Sequence, residues 1–259
     1  MSTRFTRAIV RAPGATYSAG ITNSTLGAPV LATALEQHAR YVAALESCGL
    51  AVTALPADLA YPDGCFVEDT AIVTPTAGIV TRPGAATRAG ETGAIASALS
   101  RFFPALGRIE APGTVDGGDI CQTDVGFLIG VSARTSEAGA RQLAGLLADL
   151  GFQSILLDIR HCAGLLHLKT GMSYLGDGRM AVAPDLPALP GLDRYEQVVL
   201  SPSERYAANC VRINDRVLVP AHHVRFADEL ARLGYEPLPL EMSEFQKMDG
   251  GLSCLSLRF

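Results

Sequence analysis

Short apolar segments and one longer amphipathic segment follow each other in a fixed order along the chain. Residues 69–83, "DTAIVTPTAGIVTRP", place two short apolar runs around a Pro/Thr/Gly turn, which predicts two strands. Residues 91–103 have helical periodicity, and residues 108–113, "RIEAPG", predict another short strand. The pattern therefore indicates a unit of two strands, a helix and a third strand.

This unit recurs at intervals of 42 to 50 residues. Its four later copies begin at Asp119, His167, Asn209 and Cys254, and the copy at His167 has a shorter connection before its last strand. The fifth copy is completed by N-terminal segments, namely a strand at 6–13, a helix at 31–49 and a strand at 50–56. Periods of this length are typical of circular or stacked arrays. We therefore predict an α/β fold of five units in a closed ring, a single domain over residues 1–259; the alternative is a doubly wound α/β sheet.

A closed ring would bring the first residues of all five units to one axis. These residues are Asp69, Asp119, His167, Asn209 and Cys254. A thiol beside an imidazole is readily converted to the nucleophilic thiolate. Cys254 is thus the candidate nucleophile and His167 the candidate general acid and base. Taken alone, a histidine flanked by leucines at a strand start is more typical of a core residue.

The composition narrows the class of protein. The chain has 259 residues, 48% of them apolar, and a formal net charge of -5 with no basic cluster. This charge argues against binding to nucleic acid or to an anionic membrane. No apolar run has the length of a transmembrane helix, and the N-terminal residues are unlike a signal peptide. We therefore expect a cytoplasmic globular protein.

The other cysteines and histidines indicate packing and surface positions. The cysteines form no C-x-x-C pair and lack the Cys/His spacing of zinc sites, so no metal centre is expected. Four of them are expected to pack in the interior: Cys65, Cys121, Cys162 and Cys210. His38 is expected at the surface or flank of a helix. The remaining histidines are expected in loops: His161, His222 and His223.

Three acidic residues lead into the first repeat, in "YPDGCFVEDTAIV". They are Asp63, Glu68 and Asp69. A carboxylate that points into a core needs a cation. Lysines and arginines are few near the repeat starts, so we infer that the cation could be a ligand, and a guanidinium suits paired carboxylates best. The alternative is a pair of acids that face solvent at a strand end.

Two further acids and two arginines complete the candidates. Asp116 and Asp119, in "TVDGGDI", could each orient an imidazole, or could form the turn that Asp-Gly pairs favour. Arg88 and Arg134 occupy corresponding loops of two repeats. Arginines in such loops suit bidentate binding of a carboxylate, although solvated loop arginines explain the pattern equally well.

Seven segments together closely resemble the dimethylarginine dimethylaminohydrolases. They are "LPADLAYPDGCFVEDTAIV", "IVTRPGAATR", "APGTVDGGDI", "GVSARTSEAGARQ", "LLHLKTG", "YAANCVRIND" and "MSEFQKMDGGLSCLSLRF". The resemblance runs from "TRAIVRAP" to the final "LRF" and implies the pentein fold, a five-bladed pseudo-symmetric α/β-propeller. It also implies hydrolysis of Nω-methylated L-arginines to L-citrulline and a methylamine, without a metal or other cofactor.

By motif position, the resemblance implies three catalytic residues. Cys254 matches the nucleophile that forms a covalent amidino-thioether, and His167 matches the proton donor. Asp116 matches the acid that orients His167; members of the family carry Asp or Glu there.

The resemblance also implies the substrate contacts. Glu68 and Asp69 match the pair that binds the guanidinium nitrogens, with Asp63 in the same pocket. Arg88 and Arg134 match the arginines that hold the amino-acid end. Two positions match backbone contacts: Ile21, usually leucine in the family and on a mobile loop, and Met248.

Other functions stay open at this point. Within the same fold, an arginine or agmatine deiminase would release ammonia instead of an alkylamine. A catalytically silent pentein would only bind a guanidino compound, although such a binder needs no nucleophile. Metal binding through Cys254 and His167 could inhibit the protein, but the two residues do not form a closed ligand set. A homodimer is compatible with the sequence.

Overall fold

The structure, a computed structural model, describes residues 4–186 and 188–259; residues 1–3 and 187 of the predicted domain lie outside this part. The strands are β1 Arg7–Arg11, β2 Ala51–Leu55, β3 Ala71–Val73, β4 Gly78–Val80, β5 Leu106–Arg108, β6 Ile120–Thr123, β7 Gly126–Val131, β8 Ser154–Asp158, β9 Met172–Gly176, β10 Arg179–Val182, β11 Glu196–Val199, β12 Val211–Ile213, β13 Arg216–Pro220, β14 Glu236–Leu240 and β15 Ser256–Arg258. The helices are α1 Leu31–Ser47, α2 Thr92–Leu99, α3 Glu137–Asp149, α4 Leu168–Gly171, α5 Val224–Arg232 and α6 Ser243–Gln246.

The strands form five three-stranded sheets with one common topology. The sheet orders are β3-β4-β5, β6-β7-β8, β9-β10-β11, β12-β13-β14 and β15-β1-β2. In every sheet the first strand is antiparallel to the second, which is parallel to the third. In the last sheet, Ala8 pairs with Arg258 and Val10 with Ser256, so the C-terminal strand shares a sheet with the two N-terminal strands. The repeating unit read from the sequence is therefore present five times.

A short helical segment precedes the first strand of every sheet. These segments are Val67–Thr70, Gly117–Asp119, α4, Pro202–Ala208 and Ser253–Leu255. The sequence predicted that strands begin at the first residue of each unit, and this is wrong by one to five residues. The difference matters because the candidate residues at the repeat starts lie in turns, where side chains can converge without following the alternation of a strand.

The connecting helices form where the periodicity predicted them, in four of the five units. In α3, the Ser136 side chain accepts a hydrogen bond from the Gly139 backbone at 3.1 Å, which caps the first turn. The buried face of α3, with Leu143 and Leu147, packs against Ile129 of β7 in a core cluster. The described residues between β10 and β11 contain no helix, as the shorter connection of that unit implies.

The chain divides into two compact units. Residues 68–209 contain the first three sheets, and residues 4–67 with 210–259 contain the other two. No helix in the described part of the chain is long and apolar enough to cross a membrane. The expectation of a single domain over residues 1–259 stays a prediction.

Helix α1 corrects one expectation. His38 was expected at a surface or flank, but it is only 5% exposed, on the face of α1 that also buries Tyr41 and Leu45. Burial, opposed only in part by a hydrogen bond with the Arg11 backbone, lowers the pKa of His38 to about 4.

His161 and His222 are exposed, as loop positions imply. The four cysteines expected to pack are buried, apart from the half-buried Cys162.

Candidate active site

His167 and Asp116 form a buried pair in the unit of residues 68–209. His167 Nε2 lies 3.0 Å from Asp116 Oδ2, and the two residues are 7% and 0% exposed. Asp116 is held in turn by the backbone N–H of Gly84, which donates to Oδ1 at 2.8 Å. His167 immediately precedes α4, and its backbone N–H donates to Thr170 Oγ1 at 3.3 Å. Both side chains are therefore fixed before any ligand is present.

The two glycines after Asp116 allow the chain to pass between the other acids and the imidazole. A Cβ on Gly117 would lie 1.9 Å from the Glu68 carbonyl oxygen, and a Cβ on Gly118 would lie 2.6 Å from His167 Nδ1. Any larger residue would push these groups apart. The "DGGD" motif is thus a requirement of close packing as well as a turn.

The charge of His167 is set by the carboxylates around it. Burial lowers its pKa, but the charge of Asp69, the hydrogen bond to Asp116 and the nearby Asp119 together raise it to about 9. The imidazole is therefore protonated at neutral pH. A protonated imidazole is a proton donor without further activation.

Asp119 supports the same histidine through the backbone. Its Oδ1 accepts a hydrogen bond from the Leu168 N–H at 2.9 Å, and its Oδ2 accepts one from Ser132 Oγ at 2.6 Å. Its pKa is raised by complete burial, against the lowering effect of His167. The structure thus separates the two acids that the sequence left as equals: Asp116 contacts the imidazole, and Asp119 holds the backbone next to it.

Asp69 is paired with an arginine of the protein. Its Oδ2 lies 2.5 Å from Arg88 Nη1, and its Oδ1 accepts a hydrogen bond from Gly118 N at 2.8 Å. Burial raises the pKa of Asp69, but His167 and Arg88 outweigh this effect and lower it to about 2. Arg88 also donates to both oxygens of Glu91, at 3.0 and 2.8 Å. Arg88 is only 5% exposed, so it is a buried ion-pair residue rather than a solvated loop arginine.

Glu68 also has a protein cation beside it. Its Oε1 accepts a hydrogen bond from Lys169 Nζ at 2.6 Å, with the side chains 5% and 13% exposed. Lys169 and Arg88 are therefore protein cations that the sequence did not indicate as partners of these acids, and binding of a ligand guanidinium stays a prediction. Sequence analysis missed Lys169 and Glu91, although Lys169 is two residues from His167 and Glu91 is three residues from Arg88.

Arg134 lies near the catalytic pair. Its Nη1 is 3.8 Å from Asp116 Oδ2, and its side chain is 16% exposed. The two arginines in corresponding loops thus differ in environment: Arg88 is in a buried network with Asp69 and Glu91, whereas Arg134 retains some exposure. Neither is a fully solvated arginine.

Four of the five repeat starts are joined by hydrogen bonds in this unit. The Gly118 N–H donates to Asp69, the Leu168 N–H donates to Asp119, and Asn209 Nδ2 donates to the Lys169 carbonyl oxygen at 3.0 Å. Each bond links a repeat start to a residue within two positions of another repeat start. The predicted convergence is therefore present for Asp69, Asp119, His167 and Asn209.

Three other candidate residues meet in the second unit. Asp63 is buried and accepts a hydrogen bond from the Ile21 backbone N–H, 3.1 Å from Oδ1. A Cβ on Gly20 would lie 2.6 Å from Asp63 Oδ1 and 3.1 Å from the terminal methyl of Met248. Ile21 itself is 40% exposed. The structure thus brings Asp63, Ile21 and Met248 together.

Cys254 lies in the helical segment directly before β15. It is half-buried, and its backbone N–H donates to the Gly251 carbonyl oxygen at 3.2 Å. A Cβ on Gly250 would lie 2.3 Å from the Phe66 ring, so packing against this aromatic side chain requires a glycine four residues before Cys254.

The geometry also contains a group of atoms with metal-ligating character. Asp69, Asp116 and His167 each place one ligand atom within 4.8 Å of the others. Asp69 is already paired with Arg88, and the Asp116 and His167 atoms bond to each other. A metal ion would have to displace these partners, so this arrangement suits proton transfer better than metal binding.

Known proteins match the chain over almost its whole length. The N(G),N(G)-dimethylarginine dimethylaminohydrolase of Pseudomonas aeruginosa is 42% identical over 256 residues, which are 98% of this chain and 100% of that protein. The chain belongs to the dimethylarginine dimethylaminohydrolase family. The protein of the same name from Streptomyces coelicolor is 32% identical over 97% of this chain and 96% of its own length. The arginine deiminase family model matches residues 97–191.

Solved structures of the family confirm the fold. The Pseudomonas aeruginosa enzyme, with one cysteine replaced by serine and in complex with citrulline, has a TM-score of 0.96 at 41% identity and covers 99% of this chain and 100% of that one. A dimethylarginine dimethylaminohydrolase with one histidine replaced by glycine, as an adduct with S-methyl-L-thiocitrulline, has a TM-score of 0.95 at 42% identity, covering 98% and 100%. The predicted family, the pentein fold and the class of guanidino C–N hydrolase are confirmed.

Proposed function

We propose that this chain hydrolyses asymmetric dimethylarginine and monomethylarginine to L-citrulline and a methylamine. One observation carries the proposal: the buried pair of His167 and Asp116, 3.0 Å apart, keeps a protonated imidazole among carboxylates at neutral pH. A leaving amine needs such a donor, and carboxylates next to it suit a cationic substrate. Membership of the family supports the same reaction.

Two solved relatives support the assignment of the nucleophile and the proton donor. One binds citrulline when a cysteine is replaced by serine, and the other holds an adduct with S-methyl-L-thiocitrulline when a histidine is replaced by glycine. The position numbers of that cysteine and that histidine differ by as many residues as those of Cys254 and His167 do here. We therefore assign the nucleophile to Cys254 and the donor to His167.

Substrate binding involves an exchange of cations. Glu68 and Asp69 bind the substrate guanidinium in our proposal, yet each now pairs with Lys169 or Arg88. The substrate must share or replace these pairs, and a released Arg88 is then available for the carboxylate of the substrate together with Arg134. Asp63 lines the guanidinium pocket, and the backbones of Ile21 and Met248 contact the amino-acid part.

The first half of the reaction forms a covalent intermediate. The Cys254 thiolate attacks the central guanidinium carbon and forms a C–S bond, which gives a tetrahedral species. His167 transfers its proton from the imidazolium to the alkylated nitrogen, and the C–N bond breaks. Dimethylamine or methylamine leaves, and an amidino-thioether remains on Cys254. Asp116 holds the imidazole in position during the transfer.

The second half of the reaction releases citrulline. The neutral His167 takes a proton from water, whose oxygen attacks the amidino carbon. Collapse of the second tetrahedral species breaks the C–S bond and restores the Cys254 thiolate, while the protonated urea loses a proton to solvent. The free amine takes up a proton from solvent. The sum is substrate and water giving citrulline and an ammonium ion, with His167 protonated again.

A citrulline assay tests the proposal. Purified protein is offered asymmetric dimethylarginine, monomethylarginine, arginine and agmatine in parallel, with and without EDTA. We expect citrulline from the methylated substrates, unaffected by EDTA, and no product with Cys254→Ser. Cys162→Ser is the matched control because Cys162 is also half-buried, and it should retain wild-type turnover. Turnover by Cys254→Ser would remove that residue from the nucleophile role.

Ammonia release, measured on the same four substrates, decides a second candidate function; agmatine has no carboxylate and cannot give citrulline. The match of residues 97–191 to the arginine deiminase model favours release of ammonia from an unmethylated guanidino group. Preferential turnover of arginine or agmatine would select this reaction and reject ours. Binding of methylarginine without any product would select a silent guanidino-binding protein instead.

Location and assembly are separate predictions. The sequence predicts a cytoplasmic protein that binds neither nucleic acid nor membranes, and a homodimer is compatible with it. The partner supported by the family is a small methylated arginine. Sedimentation equilibrium over a range of protein concentrations measures the assembly state directly.

A further inference from the structure

The backbone that carries Cys254 accepts hydrogen bonds from two side chains, Tyr41 and Arg258. Tyr41 Oη donates to the Leu252 carbonyl oxygen at 2.9 Å. Arg258 Nη1 donates to the carbonyl oxygens of Ser253 and Ser256, at 3.1 and 2.9 Å. The carbonyls before and after the cysteine turn are therefore bound by side chains from α1 and from β15, rather than by regular secondary structure.

The Ser256 side chain joins Arg258 to Tyr41 in a chain of hydrogen bonds with a defined direction. Arg258 Nη1 lies 2.8 Å from Ser256 Oγ, and Ser256 Oγ lies 2.6 Å from Tyr41 Oη. A guanidinium can only donate, and Tyr41 uses its single proton on Leu252. Ser256 must therefore accept from Arg258 and donate to Tyr41. Tyr41 and Ser256 are both fully buried, and a buried network with every member satisfied makes a rigid structure.

The peptide between Ser253 and Cys254 is fixed at both ends. Its carbonyl oxygen accepts from Arg258, and its N–H, which belongs to Cys254, donates to Gly251 at 3.2 Å. Rotation of this peptide would move the Cα of Cys254 and with it the sulfur. Since a displacement of about 1 Å can reduce a rate roughly 100-fold, such fixation bears directly on catalysis.

We propose that Tyr41, Ser256 and Arg258 form a positioning clamp that aims the Cys254 thiol at the substrate carbon. The proposal rests on the proposed function, because it takes Cys254 as the nucleophile. None of the three residues contacts the substrate in this proposal. They act through the backbone of residues 251–256.

The clamp can be tested by the reactivity of the Cys254 thiol, which needs no substrate, and by the kinetics of citrulline formation. The variants are Tyr41→Phe, Ser256→Ala, Arg258→Lys and Arg258→Gln, in the full-length protein. The readouts are kcat and KM for citrulline formation, the melting temperature, and the rate of Cys254 alkylation by iodoacetamide as a function of pH, measured by mass spectrometry on the peptide that contains Cys254. Cys162, also half-buried, is followed in each sample as an internal control.

Two control substitutions remove similar bonds elsewhere. Tyr195→Phe removes a buried tyrosine hydroxyl that donates to Thr123 Oγ1 at 3.2 Å, in the other unit. Arg212→Lys removes an arginine Nε that donates to the Asn214 carbonyl oxygen at 3.1 Å. We expect both to keep the kcat and the Cys254 alkylation profile of the wild type.

The clamp variants should behave differently. We expect Tyr41→Phe and Ser256→Ala to lower kcat roughly 10- to 100-fold while KM changes less than about 3-fold. Arg258→Gln and Arg258→Lys should both lose kcat and change the rate of Cys254 alkylation, because the forked contacts to the Ser253 and Ser256 carbonyl oxygens are gone in both.

Other outcomes overturn the clamp or the proposed function separately. Wild-type kcat and wild-type Cys254 alkylation in both Tyr41→Phe and Ser256→Ala would overturn the clamp. A loss of kcat would also overturn it if the melting temperature falls in parallel and the rate of Cys254 alkylation stays unchanged. If the wild type makes no citrulline but the variants slow Cys254 alkylation, the proposed function fails and the clamp stands. Four substitutions at three positions keep the test decisive if one variant does not fold.

Discussion

The carboxylates around His167 keep its imidazole protonated at neutral pH. The contribution of His167 to the free energy of unfolding therefore depends on pH. Its pKa is raised to about 9 by Asp69, Asp116 and Asp119, against the effect of burial. In an unfolded chain the pKa of histidine is about 6.5. A raised pKa in the folded state means that the folded protein binds the proton more tightly, so protonation stabilises the fold.

The stabilisation by His167 should therefore disappear in alkaline solution. It is fully present below a pH of about 6.5 and is lost as the pH rises through about 9. We expect the difference in the free energy of unfolding between wild type and His167→Gln to shrink by at most ~3 kcal/mol over this range. Urea unfolding of both proteins at pH 6 and pH 10 measures the change, and an equal difference at both pH values would contradict it.

Asp116 should matter for catalysis far more than an exposed aspartate does. Asp116→Asn keeps the size of the side chain but removes the charge that orients His167, so we expect turnover to fall at least roughly 100-fold. Asp124→Asn is the control, since Asp124 is exposed and accepts hydrogen bonds from Tyr174 and Asp177. Citrulline assays on both variants decide this, and equal losses would reject the assignment of Asp116.

At this scale the sequence identifies the chemical groups better than it identifies their partners. Cys254, His167 and the acids stand out because they begin repeats or follow a known motif. The partners of Glu68 and Asp69 do not, because Lys169 is 101 residues from Glu68 and Arg88 is 19 residues from Asp69. The first pair depends on how turns of different repeats meet and the second on how a loop folds back within one repeat, and neither leaves a local signal in the sequence. Burial of His38 was missed because a helix has two flanks, and only packing decides which one is covered.

Most of the turns that precede a first strand contain or adjoin candidate site residues. In one of these turns, substitution of Gly117 or Gly118 by alanine should have two different effects. Gly118→Ala would place a Cβ 2.6 Å from His167 Nδ1, and Gly117→Ala would place one 1.9 Å from the Glu68 carbonyl oxygen. We expect Gly118→Ala to lower turnover at least roughly 10-fold by displacing the imidazole. Gly117→Ala should destabilise the fold by about 3 kcal/mol or more because the contact is with backbone.

Gly145→Ala is the matched control for these substitutions. Gly145 lies in α3, and a Cβ there would meet nothing within 4 Å. Alanine is the better helix former, so the free energy of unfolding should rise by about 1 kcal/mol with unchanged turnover. Chemical denaturation and the citrulline assay are applied to all three variants. Full activity in Gly118→Ala would show that the imidazole tolerates the added carbon.

The order of elements was predictable, but several boundaries were not. The alternation of apolar runs and amphipathic segments predicts β-β-α-β units because each class has its own period. The third strand of the first unit was placed at residues 108–113, yet β5 is Leu106–Arg108 and pairs with Gly78–Val80 of β4. Its bounds are set by the register with a distant strand. The helical turns at the repeat starts are too short to show a helical period.

Five copies of one unit raise the question of whether the whole chain unfolds as one body. The chain divides into two compact units, joined between residues 67 and 68 and between residues 209 and 210. We propose that both units nevertheless belong to one cooperative domain, as the sequence predicted. A single heat-absorption peak, with equal calorimetric and van't Hoff enthalpies, is the expected result.

Core substitutions in each unit sharpen this test. Leu143→Ala acts in residues 68–209 and Leu257→Ala in the other unit, and both side chains are buried. Each should cost about 2–5 kcal/mol and should shift the same calorimetric peak to lower temperature. If each substitution instead moved a different peak, the two units would be separate folding domains.

The pairing of β15 with β1 has a consequence for how the chain is made. One edge of β1 is covered by β2 soon after synthesis begins, but the other edge waits for Ser256–Arg258. Until then, a growing chain on the ribosome presents the unpaired backbone of Ala8–Val10, an edge that can capture other strands. Cys254 enters the tunnel only just before β15 does. Until residues 254–258 have been made, a nascent chain therefore combines an open strand edge with the absence of the residue that we propose as the nucleophile.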